Sequence, residues 1–245
     1  MNVLFIGNSF SQDSTRYLHG IARADGVNIK VVNIYIGGCS LERHYRNMLS
    51  EARAYELEYN GERTGFYVSL KEALLNRAWD VVSIQQASFQ STRAETFRPY
   101  ASELAEFIRK CVPTAKILLH QTWAYEKDSD KLRNFAGYES PEEMLRDIVN
   151  SYDMISREIG ADGIVPAGET LGNVLKLGVS SVHRDTYHAS RGIGRYALAL
   201  LWYRMLSGKT TADNCFSDFD EPVSEKEIEI IKSYIDSVSP IFEKI

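Results

Sequence analysis

The residues of this chain best suited to chemistry are a serine near its beginning and an aspartate and a histidine near its end. Ser9 follows an apolar run that breaks at Gly7, and Asp185 precedes His188 by three residues. A serine hydroxyl is a weak nucleophile at neutral pH unless an imidazole removes its proton, and a carboxylate can fix the tautomer of that imidazole. In a loop or a single turn, the Asp185 carboxylate can reach Nδ1 of His188 and leave Nε2 facing another element. The set predicts acyl transfer with Ser9 as the nucleophile.

Each of these residues also has an ordinary structural interpretation. A serine between a strand and a helix is often a helix cap, although Ser11 and Asp13 are better placed for that duty here. An aspartate three residues before a histidine is often a capping residue beside a solvated imidazole. Among the other histidines, His120 closes a predicted strand and His183 lies in a predicted loop. We expect both to be core or solvated residues rather than substrate contacts.

Acyl transfer also needs hydrogen-bond donors for the developing oxyanion, each typically worth about 2.7–4 kcal/mol in the transition state. The backbone N–H groups of Ser9 and Gly38 are two candidates, because a glycine lets the backbone approach a substrate closely. A side-chain amide from Gln86 or Gln85 is the third candidate. The alternatives are a tight turn for the glycine and a strand-end hydrogen bond to the backbone for the glutamines.

Five apolar, β-rich segments alternate with segments of helical periodicity, a pattern typical of an α/β fold with a parallel sheet. Alternating residues around Asn60-Gly61 predict a β-hairpin over residues 56–68. We therefore expect a single domain over residues 1–245, a flavodoxin-like three-layer sandwich. It would contain a five-stranded parallel sheet, helices on both faces and a small β-hairpin insertion. The predicted strands are 2–6, Ile29–Ile36, Trp79–Ile84, Ala115–His120 and Gly163–Val165.

Helices are predicted between and after these strands from apolar spacing and capping residues. They run from Ser9 to Ala24, Leu41 to about Tyr55, Leu70 to Arg77, Glu95 to Cys111, Ser140 to about Ile159, Glu169 to Leu177, Ile193 to Gly208, and onward from Ser224.

In a parallel sheet of this type, ligands bind outside the carboxyl ends of the strands. Ser9, Gly37-Gly38, Gln85-Gln86 and Trp123 follow the first four predicted strands in turn. The loop before His188 reaches the same edge. This convergence predicts one site that contains all of these segments.

The composition excludes several other classes of protein. The chain has 245 residues and a formal net charge of -5 without a long run of like charge, so we expect no nucleic-acid partner and no membrane surface. Cys39, Cys111 and Cys215 are odd in number and widely spaced, which predicts no disulfide framework and no metal site. A reducing compartment fits this pattern. With no leader segment after Met1, the predicted location is the cytoplasm, although a secreted protein with its leader removed would look the same.

These residues resemble the SGNH hydrolases, also called GDSL-type esterases and lipases. The first block of that family, a glycine-aspartate-serine turn after the first strand, is similar to Gly7-Asn8-Ser9. Its second-block glycine is similar to Gly38, and its final aspartate-x-x-histidine matches Asp185 and His188. The resemblance spans nearly the whole chain. The Gly-Asn-Ser-Phe-Ser start looks like a bacterial branch of that superfamily.

The chain departs from the family pattern in two blocks. Asn8 stands where the family has aspartate, which leaves the nucleophile in place but changes its local hydrogen bonds. The third block, glycine-x-asparagine-aspartate, is absent, and Gln85-Gln86-Ala87-Ser88 occupies its place. The third oxyanion donor therefore depends on a glutamine.

The resemblance implies a serine esterase that needs no metal and no organic cofactor. Ser9 would attack the ester carbonyl, His188 would act as general base and then general acid, and Asp185 would orient His188. The expected substrate is a small-molecule or saccharide ester with an acetyl or short acyl group. Trp123 and Tyr125 would lie near the cleft, where an aromatic ring can stack on a sugar, although Trp123 is equally a candidate for core packing.

Two other functions fit the same residues. Because the third block is missing, the chain could be a non-catalytic carbohydrate-binding protein on the same fold. A thioesterase or lysophospholipase would use the same machinery on a different bond.

Overall fold

A single seven-stranded sheet forms the centre of the molecule, in a computed structural model that describes residues 1–242. The strands are β1 (Asn2–Gly7), β2 (Lys30–Tyr35), β3 (Tyr55–Tyr59), β4 (Glu62–Val68), β5 (Val81–Ile84), β6 (Lys116–His120) and β7 (Gly163–Val165). Their order across the sheet is β4-β3-β2-β1-β5-β6-β7. The neighbouring pairs β2-β1, β1-β5, β5-β6 and β6-β7 are parallel. Counted along the chain, those five strands have the order 2-1-3-4-5 of flavodoxin-like sheets. The predicted α/β fold is confirmed.

The predicted hairpin is part of this sheet and not an insertion beside it. β3 pairs antiparallel with β2, and β4 pairs antiparallel with β3. The prediction of a five-stranded, purely parallel sheet is therefore wrong: the sheet is mixed. The hairpin supplies hydrogen-bond partners to the outer edge of β2, which would otherwise present unpaired backbone groups. Asn60 and Gly61 have φ angles of 52° and 87°, as a tight hairpin turn requires.

Nine α-helices surround the sheet in the described part of the chain. They are α1 (Ser9–Thr15), α2 (Leu18–Ala24), α3 (Leu41–Ser50), α4 (Leu70–Leu75), α5 (Tyr100–Cys111), α6 (Pro141–Ile159), α7 (Ala167–Lys176), α8 (Ile193–Ser207) and α9 (Glu225–Ser237). A 3₁₀ turn at Ala94–Phe97 and a π-helical segment at Lys131–Ala136 complete the set.

Three predicted helices are broken or shortened by more than two residues in the structure. The helix expected up to Ala24 is divided into α1 and α2 around Tyr17. The helix expected from Glu95 is a 3₁₀ turn followed by α5, because Pro99 between them has no N–H to continue the hydrogen bonding. Helix α3 ends at Ser50, since Tyr55 begins β3 and its side chain is buried in the core.

The helices pack in two layers. On one side α8 contacts α1, α2 and α7, and on the other α5 contacts α3, α4 and α6. Helix α8 is apolar around nearly its whole circumference and almost entirely buried, because α9 packs against its outer surface. This packing fixes α1, which begins at Ser9, against the sheet and α8.

Within residues 1–242, no helix combines the length and the apolar character needed to cross a membrane.

Candidate active site

Ser9 is the first residue of α1, directly after β1. Its neighbour Asn8 caps the helix: Oδ1 of Asn8 accepts a hydrogen bond from the N–H of Phe10 at 3.0 Å. The expectation that Ser11 or Asp13 caps α1 is therefore wrong. Ser11 instead donates to the carbonyl oxygen of Asn8 at 2.8 Å. A Cβ on Gly7 would lie 2.3 Å from Oγ of Ser11, so the glycine lets strand and helix meet this closely.

The structure brings Ser9, His188 and Asp185 into one hydrogen-bonded line. Oγ of Ser9 lies 2.8 Å from Nε2 of His188, and Nδ1 of His188 lies 2.7 Å from Oδ2 of Asp185. The other carboxylate oxygen of Asp185 accepts the backbone N–H of His188 at 2.9 Å. An imidazole placed this way can take a proton from the hydroxyl while the carboxylate holds its tautomer.

The carboxylate of this line remains ionised near neutral pH. Partial burial raises the pKa of Asp185, but hydrogen bonds from the side chain and backbone of His188 outweigh it, and the pKa lies below its usual value. The negative charge favours a positive imidazole beside it, which supports proton transfer from Ser9.

A buried ion cluster fixes the loop that carries His188 onto the helix that carries Ser9. Asp13, one helical turn after Ser9, is fully buried. Its carboxylate accepts hydrogen bonds at 2.9 Å from Arg184 and Arg195, and at 3.2 Å from the N–H of Ala189. Arg184 and Ala189 directly flank the segment from Asp185 to His188. Asp13 thus holds both ends of that segment.

The cluster continues to Asp220, which lies in the segment between α8 and α9. Arg195 bonds Asp220 at 2.7 Å, and Arg16 at the end of α1 bonds it at 2.6 Å. The hydrogen-bonded guanidinium of Arg16, followed by that of Arg195, lowers the pKa of Asp220 to about 2.

We expect the replacement Asp220→Asn to lower the free energy of unfolding at pH 7 by about 2 kcal/mol. The pKa of Asp220 is depressed in the folded state, so its contribution is present above pH 4 and is lost as the pH falls toward 2. Denaturant unfolding of both proteins should therefore show a stability difference that shrinks by about half at pH 3. A difference that does not change between pH 7 and pH 3 would contradict this assignment.

Ser9 and His188 line a cavity of about 450 Å³. Gly37 and Gly38 line one part of it, and half of the remaining lining residues are aromatic. The aromatic lining residues are Phe10, Tyr35, Phe89, Tyr125, Phe135 and Tyr187, and the polar ones include Asn8, Gln12, Ser88, Lys131 and Arg184. Nε2 of Gln12 donates to Glu58, a buried carboxylate whose pKa is raised by burial.

The backbone at Gly38 is suited to an oxyanion donor. Gly38 has a φ of 60°, in the left-handed region that favours glycine, and it lines the cavity together with Ser9. Within residues 1–242, no hydrogen bond engages the N–H of Ser9 or of Gly38. Both donors are therefore available to a bound ligand.

The side-chain amides of both candidate glutamines are engaged elsewhere. Nε2 of Gln85 donates to Oδ1 of Asn8 at 2.7 Å, and Nε2 of Gln86 donates to the carbonyl oxygen of Thr96 at 2.9 Å. Oε1 of Gln86 accepts the N–H of Leu41. Neither glutamine lines the Ser9 cavity. Instead, Gln85 bonds Asn8, the residue that caps α1. Gln86 links the end of β5 to the start of α3 and to the 3₁₀ turn.

The two aromatic candidates differ in position. Trp123 is 1% exposed, stacks on Phe10 with ring centroids 3.8 Å apart, and donates from Nε1 to the carbonyl oxygen of Tyr187. It lies behind the cavity and does not line it. Tyr125 does line the cavity and shares a hydrogen bond with Ser88 at 3.0 Å. Trp123 therefore supports Phe10 and the His188 loop and does not face a ligand in this cavity.

The two remaining histidine candidates lie away from the cavity wall. His120 is buried, contacts Ser14 and accepts from Trp202, and burial lowers its pKa to about 3. His183 contacts the carbonyl oxygen of Ala124, and burial lowers its pKa to about 4. Both side chains have structural contacts, as their positions in the sequence suggest.

Asp13, Lys131 and Arg184 were not predicted from the sequence as parts of the site, and Asp13 was considered only as a helix cap. Asp13 had a signal that could have been used, since it lies four residues after Ser9 and therefore on the same face of the helix. Lys131 had no such signal, because no sequence spacing relates it to Ser9 or to His188.

The comparisons with known proteins agree on the fold. A family model described as "Domain of unknown function (DUF4886)" matches residues 2–236. The chain is also similar to the crystal structure of a DUF4886 family protein from Bacteroides uniformis, with 31% identity and a TM-score of 0.87. That match covers 96% of this chain and 93% of the other.

More distant solved structures share the fold. A protein from Slackia heliotrinireducens described as "a putative SGNH hydrolase" has a TM-score of 0.61 at 21% identity, covering 84% of this chain and 99% of its own. A "putative GDSL-like lipase" from Parabacteroides merdae has a TM-score of 0.54 at 17% identity, covering 82% and 93%. No curated protein matches the sequence.

Proposed function

We propose that this chain, which belongs to the DUF4886 family, is a serine esterase that cleaves a carboxylic ester through Ser9, His188 and Asp185. The observation that carries the proposal is the hydrogen-bonded line from Oγ of Ser9 to Nε2 of His188 at 2.8 Å and from Nδ1 of His188 to Asp185 at 2.7 Å. The shared fold with proteins described as SGNH and GDSL-like hydrolases supports it.

In the proposed reaction Oγ of Ser9 attacks the ester carbonyl while Nε2 of His188 accepts the hydroxyl proton. The negative Asp185 stabilises the imidazolium that results. His188 then gives the proton to the departing alcohol, and a water molecule, activated by the same imidazole, releases the acid from Ser9. The reaction requires no metal and no organic cofactor.

The N–H groups of Ser9 and Gly38 are the proposed oxyanion donors. Ser9 and Gly38 line the same cavity, and neither N–H group is used by another group within residues 1–242. The engaged amides of Gln85 and Gln86 argue against a glutamine as third donor. The two backbone donors would then provide the oxyanion stabilisation.

The proposed substrate is a small ester with an acetyl or short acyl group, and a saccharide is one candidate for its alcohol part. Tyr187 lines the cavity beside Ser9 with an aromatic ring and a polar hydroxyl, whereas the ring of Tyr125 is 2% exposed and its hydroxyl bonds Ser88. A side chain such as that of Tyr187 can stack on a sugar ring and bond its hydroxyls.

A fluorophosphonate probe tests the nucleophile directly, because it reacts with a serine that a neighbouring base activates. We expect covalent labelling of the wild-type protein at Ser9, located by mass spectrometry of peptides. Ser88 is the matched comparison, since it lines the same cavity but contacts Tyr125 and no histidine.

The variant Ser88→Ala should keep the label on Ser9, whereas Ser9→Ala should remain unlabelled. Labelling at Ser88, or no labelling together with measurable sugar binding, would contradict the esterase. The second outcome would favour a non-catalytic carbohydrate-binding protein on this fold.

A further inference from the structure

The cavity beside Ser9 is lined by two cations, and one of them forms no ion pair in the described part of the chain. Its lining contains Lys131 and Arg184 and, within residues 1–242, no aspartate or glutamate. The charge of Arg184 is compensated by the buried Asp13. Lys131 forms no ion pair with a carboxylate in the described part of the chain and instead lies over aromatic rings.

Two carboxylates that contact lining residues of the cavity, those of Asp185 and Glu58, are engaged with other partners. The carboxylate of Asp185 bonds His188, and that of Glu58 accepts from Asn33 at 2.6 Å. Neither of them reaches Lys131 within ion-pair distance. The ammonium group is therefore available to a ligand in the cavity.

Lys131 is held close to the reacting groups by aromatic rings. Its Nζ lies 4.6 Å from the ring centroid of Tyr187 and 5.0 Å from that of Phe135. The ring of Tyr187 lies against the imidazole of His188, with centroids 4.0 Å apart. Lys131 is thus one aromatic ring away from the general base, and these contacts restrict its long side chain to this wall.

This position identifies the part of the ester that Lys131 would meet. The carbonyl oxygen must lie at the N–H groups of Ser9 and Gly38, and the departing oxygen must lie where Nε2 of His188 can protonate it. Tyr187 and Lys131 are on the His188 side. The alcohol part of the ester, which leaves from that side, is therefore the part near the ammonium group.

We propose that Lys131 binds an anionic group, a carboxylate or a phosphate, on the alcohol part of the ester. This inference depends on the proposed esterase function and specifies its substrate class. A cavity wall with an unbalanced cation attracts an anionic substrate, and the attraction is strongest where water is partly excluded.

The experiment compares two acetate esters that differ in the charge of the alcohol. 4-Nitrophenyl acetate is neutral, and 3-carboxy-4-nitrophenyl acetate carries a carboxylate on its leaving group. We expect Lys131→Gln to lower kcat/KM for the anionic ester relative to the neutral ester by about tenfold. Lys131→Arg should keep the wild-type ratio, and about 0.5 M salt should reduce that ratio in the wild type only.

Lys127→Gln is the matched control, since Lys127 is exposed, four residues away and outside the Ser9 cavity. It should leave the ratio unchanged. An equal loss on both esters in Lys131→Gln would mean that the lysine only packs on Tyr187 and Phe135, and would overturn the inference. Preference for charge on the acyl part instead, tested with mono-4-nitrophenyl succinate, would also overturn it.

Failure of the inference and failure of the proposed function are distinguishable. Hydrolysis of the neutral ester that depends on Ser9 but shows no charge preference overturns only the role of Lys131. Absence of hydrolysis that depends on Ser9 overturns the esterase itself.

Discussion

The variant Ser9→Ala is expected to lose at least about 10³-fold in kcat on 4-nitrophenyl acetate while remaining folded. The hydroxyl of Ser9 points at His188, and its only hydrogen bond in the described part of the chain is to Nε2 of that residue. The cap of α1 depends on Asn8, so removing the hydroxyl does not remove the cap. The measurements are steady-state kinetics and thermal unfolding of the same preparations.

A double variant tests whether the serine and the histidine act as one unit. Ser9→Ala combined with His188→Ala should be no slower than Ser9→Ala alone, within about twofold, because a base without its nucleophile contributes nothing. The control Ser50→Ala removes an exposed serine of α3 and should retain the full rate. Residual turnover that falls further in the double variant would show that His188 acts without Ser9.

Much of the fold could be predicted because its main elements are locally encoded. Apolar runs between helical segments indicated the five parallel strands, and the turn at Asn60-Gly61 indicated the hairpin. The pairing of the hairpin with β2 could not be predicted, since a turn sequence specifies which two strands it joins and not the edge on which they lie. The break at Tyr17 also lacked a signal, because neither proline nor glycine stands there.

The candidate site could be predicted where chain order and sheet topology determine neighbours. Ser9 and His188 were expected to meet because Ser9 follows the first strand of a parallel sheet and the loop before His188 reaches the same carboxyl edge. The amides of Gln85 and Gln86 were expected at that edge as well, but residue type does not reveal which partner satisfies a buried amide. Lys131 was missed because its place depends on tertiary packing alone.

The second large effect is expected from Asp13→Asn, which should lower kcat by about 10²-fold with little change in KM. Asparagine keeps the size of the side chain and can still accept the N–H of Ala189, but it removes the charge between Arg184 and Arg195. Two guanidinium groups then face each other without their buried counter-ion. The segment they anchor carries His188, and a displacement of about 1 Å from Ser9 is enough for such a loss.

Stability and rate must be separated in this test, because breaking a buried ion pair costs about 3–5 kcal/mol and folded domains have about 5–15 kcal/mol in total. The milder variant Arg184→Lys keeps a cation for Asp13 but loses the planar guanidinium, whose Nη1 bonds both carboxylate oxygens at 2.9 Å and also donates to the carbonyl oxygen of Ala189. It should lower kcat with a smaller loss of stability.

Asp220→Asn provides the matched control for a positioning role of Asp13. It perturbs the same ion cluster at its far end, through Arg195 and Arg16, and should lower stability while leaving kcat unchanged. If neither Asp13→Asn nor Asp220→Asn changes kcat once both are measured well below their unfolding temperatures, the cluster contributes only stability. If kcat falls only with Asp13 and Arg184, the cluster sets the distance between His188 and Ser9, and the geometry of the site depends on a buried carboxylate that never contacts the substrate.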